Sequence, residues 1–215
     1  MIYSTIAKYE RSTVLCRTHT VGTVEHLLHP LEHELVSTSA IRRRQSFALG
    51  RLTAKNALLA LGQPVDAILR TPAGAPVWPE ATRGSISHCD GLAVALVSTD
   101  AAITGVGIDV EVCRPLPPHV KAAMAARDFE YDELIGTPDL HRLPFTAREA
   151  AFKALPPAAQ RRESVLDMDV SYQTLNEWSG EFRVRSGSLR SAKHVGRWER
   201  IGESHLMAWI LVADS

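Results

Sequence analysis

Asp109 and Glu111 stand in GVGIDVEVCRP, residues 105–115, between Val106, Ile108, Val110 and Val112, a run that predicts a buried strand. Side chains alternate faces along a strand, so the two acids share one face while the valines and Ile108 take the other. Carboxylates held that close repel unless a cation sits between them or one is protonated. Further on, TAREAAFKA spaces Glu149 and Lys153 four apart, one turn apart on one helix face. Alone, that pair reads as an exposed salt bridge, and the strand acids equally suit the wet face of an open sheet. Together, three acids and a lysine suit Mg²⁺, which takes oxygen ligands and leaves positions for water or substrate phosphate. The cysteines and histidines have no zinc-like spacing.

A second set is basic: Arg42, Arg43 and Arg44, then Arg51 and Lys55. A charge run is usually a solvated face. Arg43 and Arg51 are nonetheless a little over two helical turns apart, so both can lean toward one anion with Lys55 behind, and guanidinium forks suit phosphate. A third piece is GSISH, where Ser87 and His88 end a short strand before the turn signal CDG. A histidine there is either structural or placed to meet a ligand.

The elements that must carry these residues are legible in outline. From Leu31 to Leu61 the pattern is helical, with Phe47, Gly50, Ala54, Ala57, Leu58 and Leu61 recurring at three and four and Gly62 with Pro64 closing it; the boundary before Ile41 is open. VDAILR and APVW around TPAG predict a hairpin, followed by the strands GSISH and GLAVALVS. After GVGIDVEV come a Pro-rich connection, a helix or loop to Pro144, and the helix FTAREAAFKAL. VLDMDVSYQ, GEFRVRS and HLMAWILVA complete the chain. LTAKNALLAL and FTAREAAFKAL share an opening, and GLAVALVS and HLMAWILV are alike, which reads as a weak internal duplication with Asn56 matching Glu149. If it is real, the chain is two α+β halves with a pseudo-two-fold axis and a cleft between them, divided as 1–103 and 104–215.

Composition sets the bounds. The 215 residues are 45% hydrophobic, enough for one domain or two small ones with a core. Lys plus Arg and Asp plus Glu both number 24, so no global charge draws the chain to nucleic acid or membrane, and an anion site must be local. Cys16, Cys89 and Cys113 are too few and scattered for a disulfide framework, which fits a reducing compartment. The N-terminus lacks a signal-peptide pattern and no apolar run is long enough to span a membrane, so a cytoplasmic protein is the expectation.

Basic helix, TPAGAPVWP turn, GSISH, GIDVE and FTAREAAFK occur in one order and at set distances, and in this the chain resembles the Sfp-type 4′-phosphopantetheinyl transferases from about Arg42 to Leu155. The family pattern G-I-D-x-E, then W/F-x-x-K-E-A-x-x-K, reads here as Gly107 to Glu111 and Phe145 to Lys153. PVWPEATRGSISHC looks most like the enterobactin-synthetase-associated branch. The resemblance implies an α+β fold of two similar subdomains, each a small, mostly antiparallel sheet packed on a long helix, with coenzyme A between them. It implies that Asp109, Glu111 and Glu149 hold Mg²⁺, for which Mn²⁺ substitutes, against the coenzyme A pyrophosphate. Arg43, Arg51 and His88, with Lys55, would meet phosphates, and Lys153 the pyrophosphate. Gly74, Ala75, Pro76 and Ser87 would line the adenine, and Arg148, which replaces a family lysine beside the catalytic Glu149, would also contact coenzyme A. A lysine usual in the turn is missing from Thr71 to Ala75.

The implied reaction moves the phosphopantetheinyl arm of coenzyme A, the co-substrate, onto a serine of an apo carrier-protein domain and releases adenosine 3′,5′-bisphosphate, with Glu149 as base, directly or through a metal-bound water, and Lys153 offsetting the charge on the leaving group. The implied protein is a monomer with no nucleic-acid or membrane partner. The alternative is a non-catalytic coenzyme A- or carrier-binding homologue. A nucleotidase or other phosphotransferase lacks its G-x-x-x-x-G-K-[ST] loop. The carrier and its pathway stay open, and the segment 116–144 offers Met124, Phe129 and Leu134 as docking candidates without a pattern.

Overall fold

The chain was analysed as a computed structural model that describes residues 1–9, 12–125, 140–176, 178–184, 189 and 194–213. The architecture is α+β with two mostly antiparallel sheets, and the chain divides into the units Met1–Ile103 and Thr104–Ser215. The docking candidates Phe129 and Leu134 lie outside the described residues.

In the first unit, β1 (Ile2–Tyr9) and β2 (Thr13–Thr20) form an antiparallel hairpin that the sequence pattern did not announce. A five-residue helix, α1 (Pro30–Glu34), starts with a capping box between His29 and Glu32. The long helix α2 (Ile41–Ala60) follows, so the helical pattern of 31–61 is broken at residues 35–40. Gly62 ends α2 at φ 73°, a left-handed stop open to glycine. The strands β3 (Arg83–Cys89) and β4 (Leu92–Ser98) pair through the Asp90–Gly91 turn, whose φ values are 41° and 82°. Sheet order is β1-β2-β4-β3. Every residue of β4 is buried, and Ala95 and Val97 pack with Ala54, Ala57 and Leu58 of α2. The expected hairpin of VDAILR and APVW is only a single bridge between Arg70 and Pro76. Bonds from the Val77 N–H to the Leu69 carbonyl and from the Thr71 N–H to the Ala75 carbonyl flank that bridge, and Pro79, with no N–H, stops the pairing from running on.

The second unit starts with β5 (Ile103–Val112). After α3 (Pro118–Ala125), the helix α4 (Leu143–Ala154) packs on a sheet ordered β5-β9-β8-β7-β6, where β6 is Val170–Asn176, β7 Ser179–Val184, β8 Val195–Ile201 and β9 His205–Ala213. The core joins Leu143, Ala147, Ala150, Ala151 and Ala154 of α4 to Phe182, Trp198, Leu206, Ala208 and Ile210 of the sheet. Gly105 and Gly107 explain how close α4 lies to β5. A Cβ on Gly107 would overlap the carbonyl of Ala150, and one on Gly105 that of Ala154. The alternation then points the next residues of the same face, Asp109 and Glu111, along that helix.

Candidate functional site

The acid set belongs to the second unit. Asp109 is 4% exposed on β5, and Lys153 reaches off its own helix to donate to Asp109 Oδ1 at 2.6 Å. This crossing gives Lys153 a role that the exposed i, i+4 reading of its pairing with Glu149 does not contain. Glu111 accepts from Arg142 Nη1 at 2.6 Å. Burial pushes the Glu111 carboxyl above its ordinary range, and Asp109 adds to the rise while Arg142 and Lys153 oppose it. Glu149, half-buried on α4, is also pushed up, first by burial, with Lys153 opposing and Asp109 and Glu111 reinforcing.

These three carboxylates therefore feel one another's charge. Among the described residues no three His, Cys, Asp or Glu side chains converge as a ready-made ion cage, because Asp109 and Glu111 are turned onto Lys153 and Arg142. The donor set nonetheless fits a hard divalent cation. All its ligands are carboxylate oxygens, their mutual repulsion favours added positive charge, and Mg²⁺ characteristically binds through a few carboxylates plus substrate phosphate.

Arg148 behaves differently from its neighbours. It is 0% exposed, reaches the Leu166 carbonyl at 3.5 Å, and lines a cavity of about 390 Å³ with Leu166, Asp167 and Asp169. A direct coenzyme A contact, the expectation for this residue, has no exposed guanidinium surface to use in this geometry.

The basic set belongs to the first unit. Arg43 is exposed, whereas Arg51 is 5% exposed, donates Nε to the Ile68 carbonyl at 2.7 Å and lies 4.3 Å over the Phe47 ring. Burial pulls the Arg51 pKa down to about 10; Glu32 opposes this, while Arg70 and Arg43 push the same way. Three guanidinium groups thus share one neighbourhood, an arrangement suited to an anion. Lys55 is held differently: its Nζ lies 2.7 Å from Glu32 Oε2. Glu32 is 0% exposed and also accepts from the backbone N–H of Ile68 at 2.8 Å and of His29 at 3.0 Å. His88 lies against α2 at Gly50, where an added Cβ would stand 3.6 Å from its ring. Ser87 is buried on β3. Gly74, at φ 91°, and Ala75 form the exposed turn before Pro76, with the Ala75 N–H on Thr71 Oγ1.

Sequence reasoning missed Arg142, Arg70 and Glu32. Arg142 and Arg70 have their partners far along the chain, Glu111 and the Leu35 carbonyl, and Glu32, beyond its local cap on His29, meets Lys55 and Ile68 only through the fold.

Residues 31–98 match the 4′-phosphopantetheinyl transferase N-terminal domain. The chain is 35% identical to 4′-phosphopantetheinyl transferase Svp of Streptomyces mobaraensis, over 87% of this chain and 79% of that protein. It is 37% identical to 4′-phosphopantetheinyl transferase Npt of Nocardia iowensis, over 79% of this chain and 83% of the relative. Enterobactin synthase component D of Salmonella typhimurium is 30% identical over 60% of this chain and 56% of its own length. The chain belongs to the 4′-phosphopantetheinyl transferase family. Members use coenzyme A as substrate together with a divalent metal, and modify carrier proteins.

Proposed function

We propose that this chain transfers the 4′-phosphopantetheinyl group of coenzyme A to a serine of an apo carrier protein, with Mg²⁺, or Mn²⁺ in its place, held by Asp109, Glu111 and Glu149. The observation that carries the reading is the close seating of α4 on β5 at Gly107, with Lys153 of that helix bonded to Asp109 of that strand at 2.6 Å. A bound divalent ion would neutralise phosphate charge there. The serine hydroxyl is a weak nucleophile at neutral pH, so a base must take its proton as Oγ bonds to the β-phosphorus and the bond to adenosine 3′,5′-bisphosphate breaks. Glu149, half-buried on α4, is the base, directly or through a metal-bound water. Lys153 exchanges Asp109 for the 5′-phosphate of the departing adenosine 3′,5′-bisphosphate as negative charge builds there.

At the remote end of coenzyme A, Arg43 and Arg51 bind the 3′-phosphate beside His88, and Gly74 to Pro76 with Ser87 line the adenine. Lys55, engaged by Glu32, supports that surface through the fold. A cytoplasmic monomer that meets its carriers in solution is the corresponding cellular reading. The test is to incubate the protein with coenzyme A, Mg²⁺ and an apo carrier domain and to measure adenosine 3′,5′-bisphosphate against holo carrier. Equal amounts of both, abolished by a chelator and restored by Mn²⁺, support the reading. Coenzyme A binding without either product would leave a non-catalytic binding protein.

A further inference from the structure

Arg142 precedes α4 and reaches back to the end of β5, the strand that carries Asp109 and Glu111. Its donors make three contacts: Nη1 to Glu111 Oε2 at 2.6 Å, Nε to the Arg114 carbonyl at 2.8 Å and Nη2 to the Pro115 carbonyl at 3.4 Å. The guanidinium is planar, so a donor set spread over two carbonyls and a carboxylate fixes the direction in which that carboxylate faces. Arg142 engages Glu111 through Oε2 alone, so the same carboxylate would still be able to help hold a cation. Groups that orient a ligating carboxylate from outside typically govern metal affinity as well.

We propose that Arg142 is a positioning residue of the metal site, holding Glu111 by one oxygen and tying the chain just past β5, at 114–115, to the start of α4, so that the β5 acids and Glu149 stay in register for one divalent ion. This rests on the reading of Asp109, Glu111 and Glu149 as metal ligands. A plain structural latch would make the same contacts without affecting the ion, and direct metal binding separates the two.

The full chain is titrated with Mn²⁺ in the presence of coenzyme A, with coenzyme A alone as the blank, and the free-ion paramagnetic resonance signal is followed. Arg142→Gln should weaken Mn²⁺ binding by about 10- to 100-fold. Arg142→Lys, which keeps the charge but not the fork, should fall between wild type and Arg142→Gln, and it carries the test if the glutamine variant does not fold. Unchanged binding in the folded variants reduces Arg142 to a latch and overturns the proposal. Tighter binding also overturns it, since arginine would then be only a competitor for Glu111. Asp109→Asn is the control. If it binds Mn²⁺ like wild type, the metal-ligand reading itself fails; if it loses binding while the Arg142 variants keep theirs, the Arg142 proposal alone falls.

Discussion

Lys153 is the residue at which the bland and the catalytic accounts part. As a solvated helix pair with Glu149 it would be worth about 0.3 to 0.5 kcal/mol and matter little to rate. Its bond to Asp109 at 2.6 Å instead seats its charge among the acids. Lys153→Met keeps the packing stem and removes that charge, so kcat should fall by on the order of 10²-fold. Wild-type turnover, followed as carrier mass over time, would return Lys153 to an ordinary ion pair. Asp109→Ala should lose transfer on the same ~10² scale while remaining folded by circular dichroism. Glu32 belongs to another class. It is fully buried with a lysine and two backbone N–H groups on it, so Glu32→Ala should cost about 3 to 5 kcal/mol in denaturant unfolding, the scale of breaking one half of a buried pair. A loss below ~1 kcal/mol would contradict that role. The acids were legible in the sequence because GIDVE and TAREAAFK are local patterns whose period fixes a face. Glu32 was not, because its partners Lys55 and Ile68 meet it only after folding.

Gly107 shows how one element positions another. With no side chain there, the Ala150 carbonyl of α4 rests directly on β5. Gly107→Ala must push the helix away, at about 1 to 3 kcal/mol for overpacking, and should shift Glu149 from the β5 acids. Transfer should then fall further than the lost stability explains, as tested by rates on protein shown to be folded; a rate at wild-type level would mean that the contact serves packing alone. β5 and α4 could be read from alternation and from a three-and-four pattern. β1 could not, because it is an edge strand whose apolar and polar residues alike are mostly exposed, with no burial period. The 65–78 hairpin is short, one bridge held by two backbone bonds, and Pro79 keeps it from becoming a ladder. The likeness of the two helices has a local counterpart. Thr53 and Thr146 are both buried and donate to the carbonyl four residues back, at 2.8 and 2.9 Å.

Over the whole molecule the candidate phosphate-binding residues Arg43 and Arg51 stand in the first unit and the candidate metal-binding acids Asp109, Glu111 and Glu149 in the second. Arg43 is exposed and makes a clean probe. Arg43→Ala should raise KM for coenzyme A and have little effect with 3′-dephospho-coenzyme A, because a contact to a remote phosphate vanishes with that phosphate. Arg51→Ala should show the same selectivity but also lose stability, since its guanidinium is buried on the Ile68 carbonyl. Equal damage with both substrates would assign these arginines to the fold. The reaction itself is tested most directly by the mass of an apo carrier domain followed in time with coenzyme A and Mg²⁺, wild type beside Glu149→Gln. The account predicts complete gain of the phosphopantetheinyl mass with wild type, and with Glu149→Gln a rate lower by more than the ~10²-fold of Lys153→Met that raising the pH does not restore. An unmodified carrier with wild-type protein, or equal rates for the two proteins, would contradict it.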